Sequence, residues 1–347
     1  MSSPIPSAVS ATAHAPTPAA AWRLSAASWL AVVFFAGALL FGTVAVALGD
    51  VFYLRLATEA LIFGGLALSV DLLLGRVGLL PLGQALFFGL GAYVSALVLK
   101  HWTDSLWLAL GVALVFSALA GLVGGLIAIR SKGVYFALIS FGLAQVVSKL
   151  IYNTRELGAS DGIIGVPAAT IAPGLTSGTP QLFFLLVLGL IGAFYLALRY
   201  LMDTPMGRQL DAIRINEHRV SFLGVDAWRY KLGAFVAAAC IAGVSGALYP
   251  MLRGFVSPEL MFFQVSGNAV INVIVGGTGT LIGPLYGSAI LTGLRSVVGS
   301  FTAHHHIVIG VLFVVVVILM PRGLIGYATP VLQRWLDRRR DNAGEKA

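Results

Sequence analysis

Few residues in this chain have the type and spacing that chemistry requires. Gly243-Val244-Ser245-Gly246 carries the Gly-x-Ser-Gly pattern of intramembrane serine proteases. A serine nucleophile needs a base such as histidine within hydrogen-bond reach, and His304, His305 and His306 are the candidates. Ser245 lies in the middle of one apolar run and the histidines at the outer end of another. Helix packing through small residues explains the motif as well, so no catalytic residue is expected. The histidine run has no partner at ligand spacing, and no metal site is expected. Cys240 is the single cysteine. It excludes an internal disulfide or a thiolate cluster and reads as a small buried hydrophobe. None of the five lysines stands in Gly-Lys-Ser/Thr, so there is no P-loop. The acids inside apolar runs are Glu59 and Asp71. The spacing suggests local pairs, Glu59 with Arg55 and Asp71 with Arg76.

The elements that carry these residues follow from composition. Of 347 residues, 58% are hydrophobic and 10% charged, and mean hydropathy is +0.93. A soluble domain carries about 25% charged residues, so the composition excludes an ordinary soluble enzyme, a coiled coil and a disordered chain. It fits an all-α polytopic membrane protein. Apolar runs at 26–48, 56–74, 79–99, 105–129, 134–152, 181–201, 231–252, 261–275, 281–298 and 307–320 give about ten spans, with eight to ten as the range. The runs at 261–275 and 307–320 are short enough to be tilted, broken or re-entrant. Ala45-Val46-Ala47 resembles a signal-peptide cleavage site, but the apolar part is too long and begins too late, so a retained span is expected.

Net charge is +8. In a soluble protein that would raise nucleic acid as a partner. Here the basic residues sit between apolar runs, so they read as orientation signals and no nucleic acid is expected. With the N-terminus inside, 16 of the 22 Lys and Arg fall on the inner side, including Arg76, Arg130, Lys132 and the run Arg338-Arg339-Arg340. Both termini are then cytoplasmic. Residues 1–21 read as a disordered tail, 22–328 as the membrane domain and 329–347 as a basic tail.

The most informative polar segment is 203–230. Thr204 and Pro205 suit a helix start, and Met206, Leu210 and Ile213 recur at helical spacing. A second short helix is expected over 217–223, stopped by Gly224. This predicts a cytoplasmic helix pair whose apolar stripe enters a groove on a partner, with charges at the rim.

Ala212-Ile213-Arg214-Ile215-Asn216-Glu217-His218-Arg219-Val220-Ser221-Phe222-Leu223-Gly224 resembles the coupling loop of branched-chain amino acid ABC permeases of the LivM type. Gly83-Gln84-Ala85-Leu86-Phe87-Phe88-Gly89, Ser160-Asp161-Gly162-Ile163-Ile164-Gly165, Gly276-Gly277-Thr278-Gly279-Thr280 and Pro321-Arg322-Gly323 are similar to that family too, in order over roughly 55–325. The resemblance implies an importer in the bacterial inner membrane. This chain would work with a second permease chain of the LivH type, two ABC ATPases that use ATP and Mg, and a periplasmic solute-binding protein. Membrane lipid surrounds it, and it would bind no cofactor itself. Arg214, Glu217, His218, Arg219 and Gly224 would couple to the ATPases, and Ser160, Asp161 and Gly162 would help receive the binding protein. The chain departs from the family pattern at His218-Arg219-Val220, at Gln84 and Pro81, and at Asp71, where Asn is usual.

Polar positions among apolar spans mark a translocation path: Gln84, Ser140, Gln145, Asn268 and Asn272. Asn268 and Asn272 are four apart and share a helix face. An apolar path with a few amide and hydroxyl groups suits a zwitterion with a hydrophobic side chain. The expected function is therefore ATP-driven import of branched-chain amino acids. Urea or short-chain amide import and a gradient-driven carrier are the alternatives.

Overall fold

The computed structural model describes residues 26–172 and 174–301, together with 310, 311, 314, 318 and 323–329. Two helices, α1 (Ala26–Ala47) and α2 (Val51–Asp71), open the chain, and α2 continues into a six-residue π turn, Leu72–Val77. Asp50 starts α2 by accepting from the Phe52 N–H at 2.9 Å, an N-cap that satisfies one otherwise orphan donor. Then come α3 (Gln84–His101), α4 (Leu106–Ala128) and α5 (Val134–Asn153). Three short strands follow: β1 (Ile163–Ile164), β2 (Thr170–Ala172) and β3 (Leu175–Thr176). Next are α6 (Pro180–Asp203), α7 (Pro205–Phe222), α8 (Ala227–Ala247) and α9 (Tyr249–Arg253). The strand β4 (Phe255–Val256), α10 (Phe263–Gly276) and α11 (Gly283–Phe301) follow, and residues 323–329 are again helical.

Six helical stretches among the described residues are long and apolar enough to cross a membrane: Ser28–Ala47, Val51–Val77, Leu106–Ala128, Val134–Asn153, Pro180–Asp203 and Ala227–Arg253. The chain is an all-α polytopic membrane protein, and the expected ten spans are an approximate count. The expected span 79–99 begins late, because residues 78–83 are not helical and Gly78 takes a left-handed φ of 79°. The run at 261–275 becomes a 14-residue helix that follows an irregular stretch. The tenth run, 307–320, lies almost wholly outside the described residues, as do the 1–21 and C-terminal tails.

At the centre, α2 buries thirteen residues from Leu54 to Asp71. In lipid, helices gain little from burying apolar surface against each other, so close backbone approach matters more. The contacts of α8 show this. A Cβ on Gly91 of α3 would collide with the Gly243 carbonyl, one on Gly246 with the Phe88 carbonyl, and one on Gly243 with the Ser117 side chain of α4. The outward sides of α4 and α5 are apolar, with Phe116, Leu119, Val123, Leu138 and Val146 exposed, as a lipid or partner-facing surface requires.

The connection between α5 and α6 is ordered by short strands and cross-links. β1 pairs antiparallel with β4, and β2 with β3. The Lys100 ammonium donates to the Ile164 carbonyl at 3.2 Å, and the Thr170 N–H to the Asp104 carbonyl at 2.6 Å.

Candidate functional site

Two places bring together most of the polar residues expected to couple or to line a path: the α7 connection, and the start of α3 where it meets α5 and α10. Pro205 occupies the first turn of α7, where its missing N–H costs nothing. The helix is broken at Asn216, whose backbone is extended (φ −159°, ψ 97°). Its side-chain oxygen accepts from the Arg219 N–H at 3.1 Å and so caps the second helical stretch. Gly224 follows with φ 78°. The expected helix pair is therefore present, and Asn216 is the residue that divides it.

The faces are distributed differently from the sequence expectation. Leu210 and Ile213 are buried against the body of the protein, with Val220, and do not point away from it. The outward apolar groups are Ile215, Phe222 and Leu223, which are 85%, 90% and 81% exposed. They surround a break and a chain turn, so no regular spacing marks them. Phe222-Leu223 just before a glycine in an otherwise polar segment is the signal that could have found them.

Charged groups fasten α7 inward. The Arg214 guanidinium donates to the Gly75 carbonyl in the π turn. Arg76 faces Asp211 at 3.5 Å. Glu217 pairs with Lys231 of α8 at 2.8 Å and with Lys132, between α4 and α5, at 3.4 Å. Burial pushes the Glu217 carboxyl up, but the hydrogen bond and charge of Lys231, aided by Lys132, outweigh it and hold the carboxyl below its ordinary value. Of the five expected coupling residues, Arg214 and Glu217 turn toward the protein body, and His218, Arg219 and Gly224 lie on the exposed side. Lys132, Lys231 and Asp211 were not anticipated, because their partners are distant in sequence.

Asp71 does not pair with Arg76. It is fully buried and accepts the Gly279 N–H at 2.6 Å and the Leu281 N–H at 3.0 Å. Glu59 pairs with Arg253 of α9 at 2.6 Å and not with Arg55. Ser245 is buried, and a Cβ on Gly65 of α2 would strike its hydroxyl. It is a packing residue between helices, while His304, His305 and His306 lie outside the described residues.

The family described as branched-chain amino acid transport system / permease component matches residues 52–317. The chain belongs to that family. This permease is 29% identical over 301 residues to the high-affinity branched-chain amino acid transport system permease protein LivM of Escherichia coli (strain K12), covering 80% of this chain and 71% of the relative. It is 25% identical over 239 residues to a probable LivM of Methanocaldococcus jannaschii, covering 62% and 67%. It is 21% identical over 223 residues to the ribose import permease protein RbsC of Haemophilus influenzae, covering 62% and 68%. No solved structure matches it.

In the permease, the polar positions expected along a path fall into two groups. Gln84 opens α3 and is 1% exposed, with neither side-chain polar atom hydrogen-bonded. Beside it, the Ala85 N–H donates to the Ser266 hydroxyl of α10 at 2.9 Å, and a Cβ on Gly83 would strike the Ser140 carbonyl of α5. Gln84, Ser140 and Ser266 thus share one region, and nearby on the same two helices Phe141 and Phe263 pair edge-to-face at 5.5 Å. Ser266 was not anticipated. Gln145 and Asn268 are half-buried, and Asn272 is buried. Gly142 and Gly267 have open space where a Cβ would stand, so this part of α5 and α10 faces outward from the chain.

At the end opposite α7, the Ser160 hydroxyl donates to Asp161 at 3.1 Å, and both are exposed. Gly162 has φ 72°, and a Cβ there would collide with the Val256 carbonyl. The glycine is needed for β1 to meet β4.

Proposed function

We propose that this permease imports branched-chain or related hydrophobic amino acids across the bacterial inner membrane, driven by two separate ATPase chains. The observation that carries the reading is the α7 knob. Its inner side is bound to the protein body by Arg214, Asp211 and Glu217, and its outer side presents Ile215, Phe222 and Leu223. Three large apolar groups exposed on a charged segment serve a partner's groove better than they serve water. The ATPases, which would bind ATP and Mg, dock there. That end, rich in Lys and Arg, is the cytoplasmic one, and both termini lie on it.

The remaining partners follow the same logic. The outward wall of α5 and α10 supports a path completed by a second permease chain of the LivH type. The exposed Ser160-Asp161-Gly162 corner, held by β1 and β4, supports reception of a periplasmic binding protein. The relatives named LivM support the amino acid. A gradient-driven carrier needs ionisable groups free to exchange protons or ions in the membrane. Asp71 and Glu59 are instead engaged by backbone N–H groups and by Arg253.

Proteoliposomes holding this chain, its second permease, the ATPases and the binding protein test the reading. Leucine should accumulate with ATP and stop when the ATPases are omitted. Accumulation by this chain alone would overturn it, and uptake of urea in place of leucine would reassign the solute.

A further inference from the structure

The geometry around Asp71 points to a role beyond docking: we infer that Asp71 is the positioning residue through which movement of α7 passes to α10 and α11. This rests on the ATP-driven reading above.

Three elements meet at this carboxylate. The first is the end of α2, where Asp71 is the last helical residue before the π turn. The second is the turn between α10 and α11, whose Gly279 and Leu281 N–H groups both donate to Asp71. The third is α7, whose Arg214 holds the Gly75 carbonyl one turn after Asp71. The layers touch without slack. A Cβ on Gly75 would lie 2.5 Å from the Asp71 carboxylate and 2.6 Å from Gly279 Cα. A Cβ on Gly279 would lie 3.1 Å from the Gly75 carbonyl and 3.5 Å from the Arg214 guanidinium. Arg76 and Asp211 run a second link between the π turn and α7.

The Asp71 link is a stiff one. A carboxylate is acceptor-only, and both its oxygens are engaged here by backbone donors in a site shut off from solvent. Parting them would leave a buried charge and the buried Leu281 N–H bare, and the Gly279 N–H without its acceptor. The contact also holds Leu281, a non-glycine residue, at a φ of 61°, a left-handed conformation that must be imposed by its surroundings. The π turn joins Asp71 to Arg214's acceptor and is packed against Gly279, a kind of segment frequent at functional sites. A push on α7 therefore shifts the π turn, and the rigid Asp71 contact carries the turn of 277–281 with it. That turn begins α11 and ends α10, the helix bearing Ser266, Asn268 and Asn272.

The test uses the complete reconstituted assembly and reads solute moved per ATP hydrolysed. Asp71→Ala removes both acceptors. It should lower that ratio about tenfold while basal ATP hydrolysis and assembly stay within about twofold of wild type. Asp71→Asn keeps one acceptor and should retain an intermediate ratio. A wild-type ratio in Asp71→Ala would overturn the inference. So would parallel loss of assembly, hydrolysis and uptake in both variants, because that marks a merely structural carboxylate. Spin labels at Thr278→Cys and Ser221→Cys, in a Cys240→Ala background, give a second measurement. Both labels should shift on ATP binding in the parent, and only the Ser221 label in Asp71→Ala. If the unsubstituted assembly shows no ATP-driven uptake, the reading beneath the inference fails and takes it along.

Discussion

Glu217 and Lys231 make an ion pair on the inner side of α7, in which Lys231 is almost fully shielded and Glu217 is half-buried. Removing one partner of such a pair costs more than the pair contributes, because the other charge stays buried alone. Glu217→Gln should therefore loosen α7, read as faster tryptic cleavage after Arg219. Adding Lys231→Met, which removes the stranded ammonium, should slow cleavage again. The carboxyl is held below its unfolded value of about 4.5. Its stabilising effect is thus present above that value and is lost as pH falls through the lower, folded one. Protease resistance of α7, assayed with trypsin around neutrality and with an acid-active protease below it, should be constant around neutrality and fall only in acid.

Glycine and asparagine decide the shape of the whole α7 element. Asn216 breaks the helix and caps the next piece, and Gly224 closes it at a φ of 78° with no atom nearby that a side chain would strike. Space is free there, so a substitution acts through the backbone and not through a clash. A β-branched residue in the left-handed region costs about 1–2 kcal/mol. Gly224→Val should thus shift the Phe222-Leu223 knob and reduce ATP-driven uptake several-fold, with membrane insertion intact. Immunoblots of membranes beside uptake assays check both halves, and full uptake at normal expression would count against the docking role.

At the level of the molecule, the α7 connection and the β1–β4 corner lie at opposite ends of the spans. The proposed orientation puts the first inside and the second outside. The chain has one native cysteine, so Cys240→Ala gives a clean background for labelling. In membranes that hold the permease without its ATPases, Phe222→Cys should react with an impermeant maleimide only in inside-out vesicles, and Ser160→Cys only in right-side-out ones. The reverse pattern would invert the importer and with it the assignment of every partner.

Sequence alone determined the class and the order of the long apolar helices, because lipid imposes long apolar runs and those are visible without any partner residue. It also gave the helix pair in 203–230, since proline, the helical spacing and glycine are local signals. The placement of faces needed the tertiary structure. Leu210 and Ile213 look like an outward stripe until the protein body is seen to cover them, while Ile215, Phe222 and Leu223 gather only through the break at Asn216. Likewise Asp71 and Arg76 are five apart and look paired. Their actual partners, Gly279, Leu281 and Asp211, stand more than a hundred residues away. A charge buried among helices is satisfied by whatever the packing brings to it, and no local spacing records that.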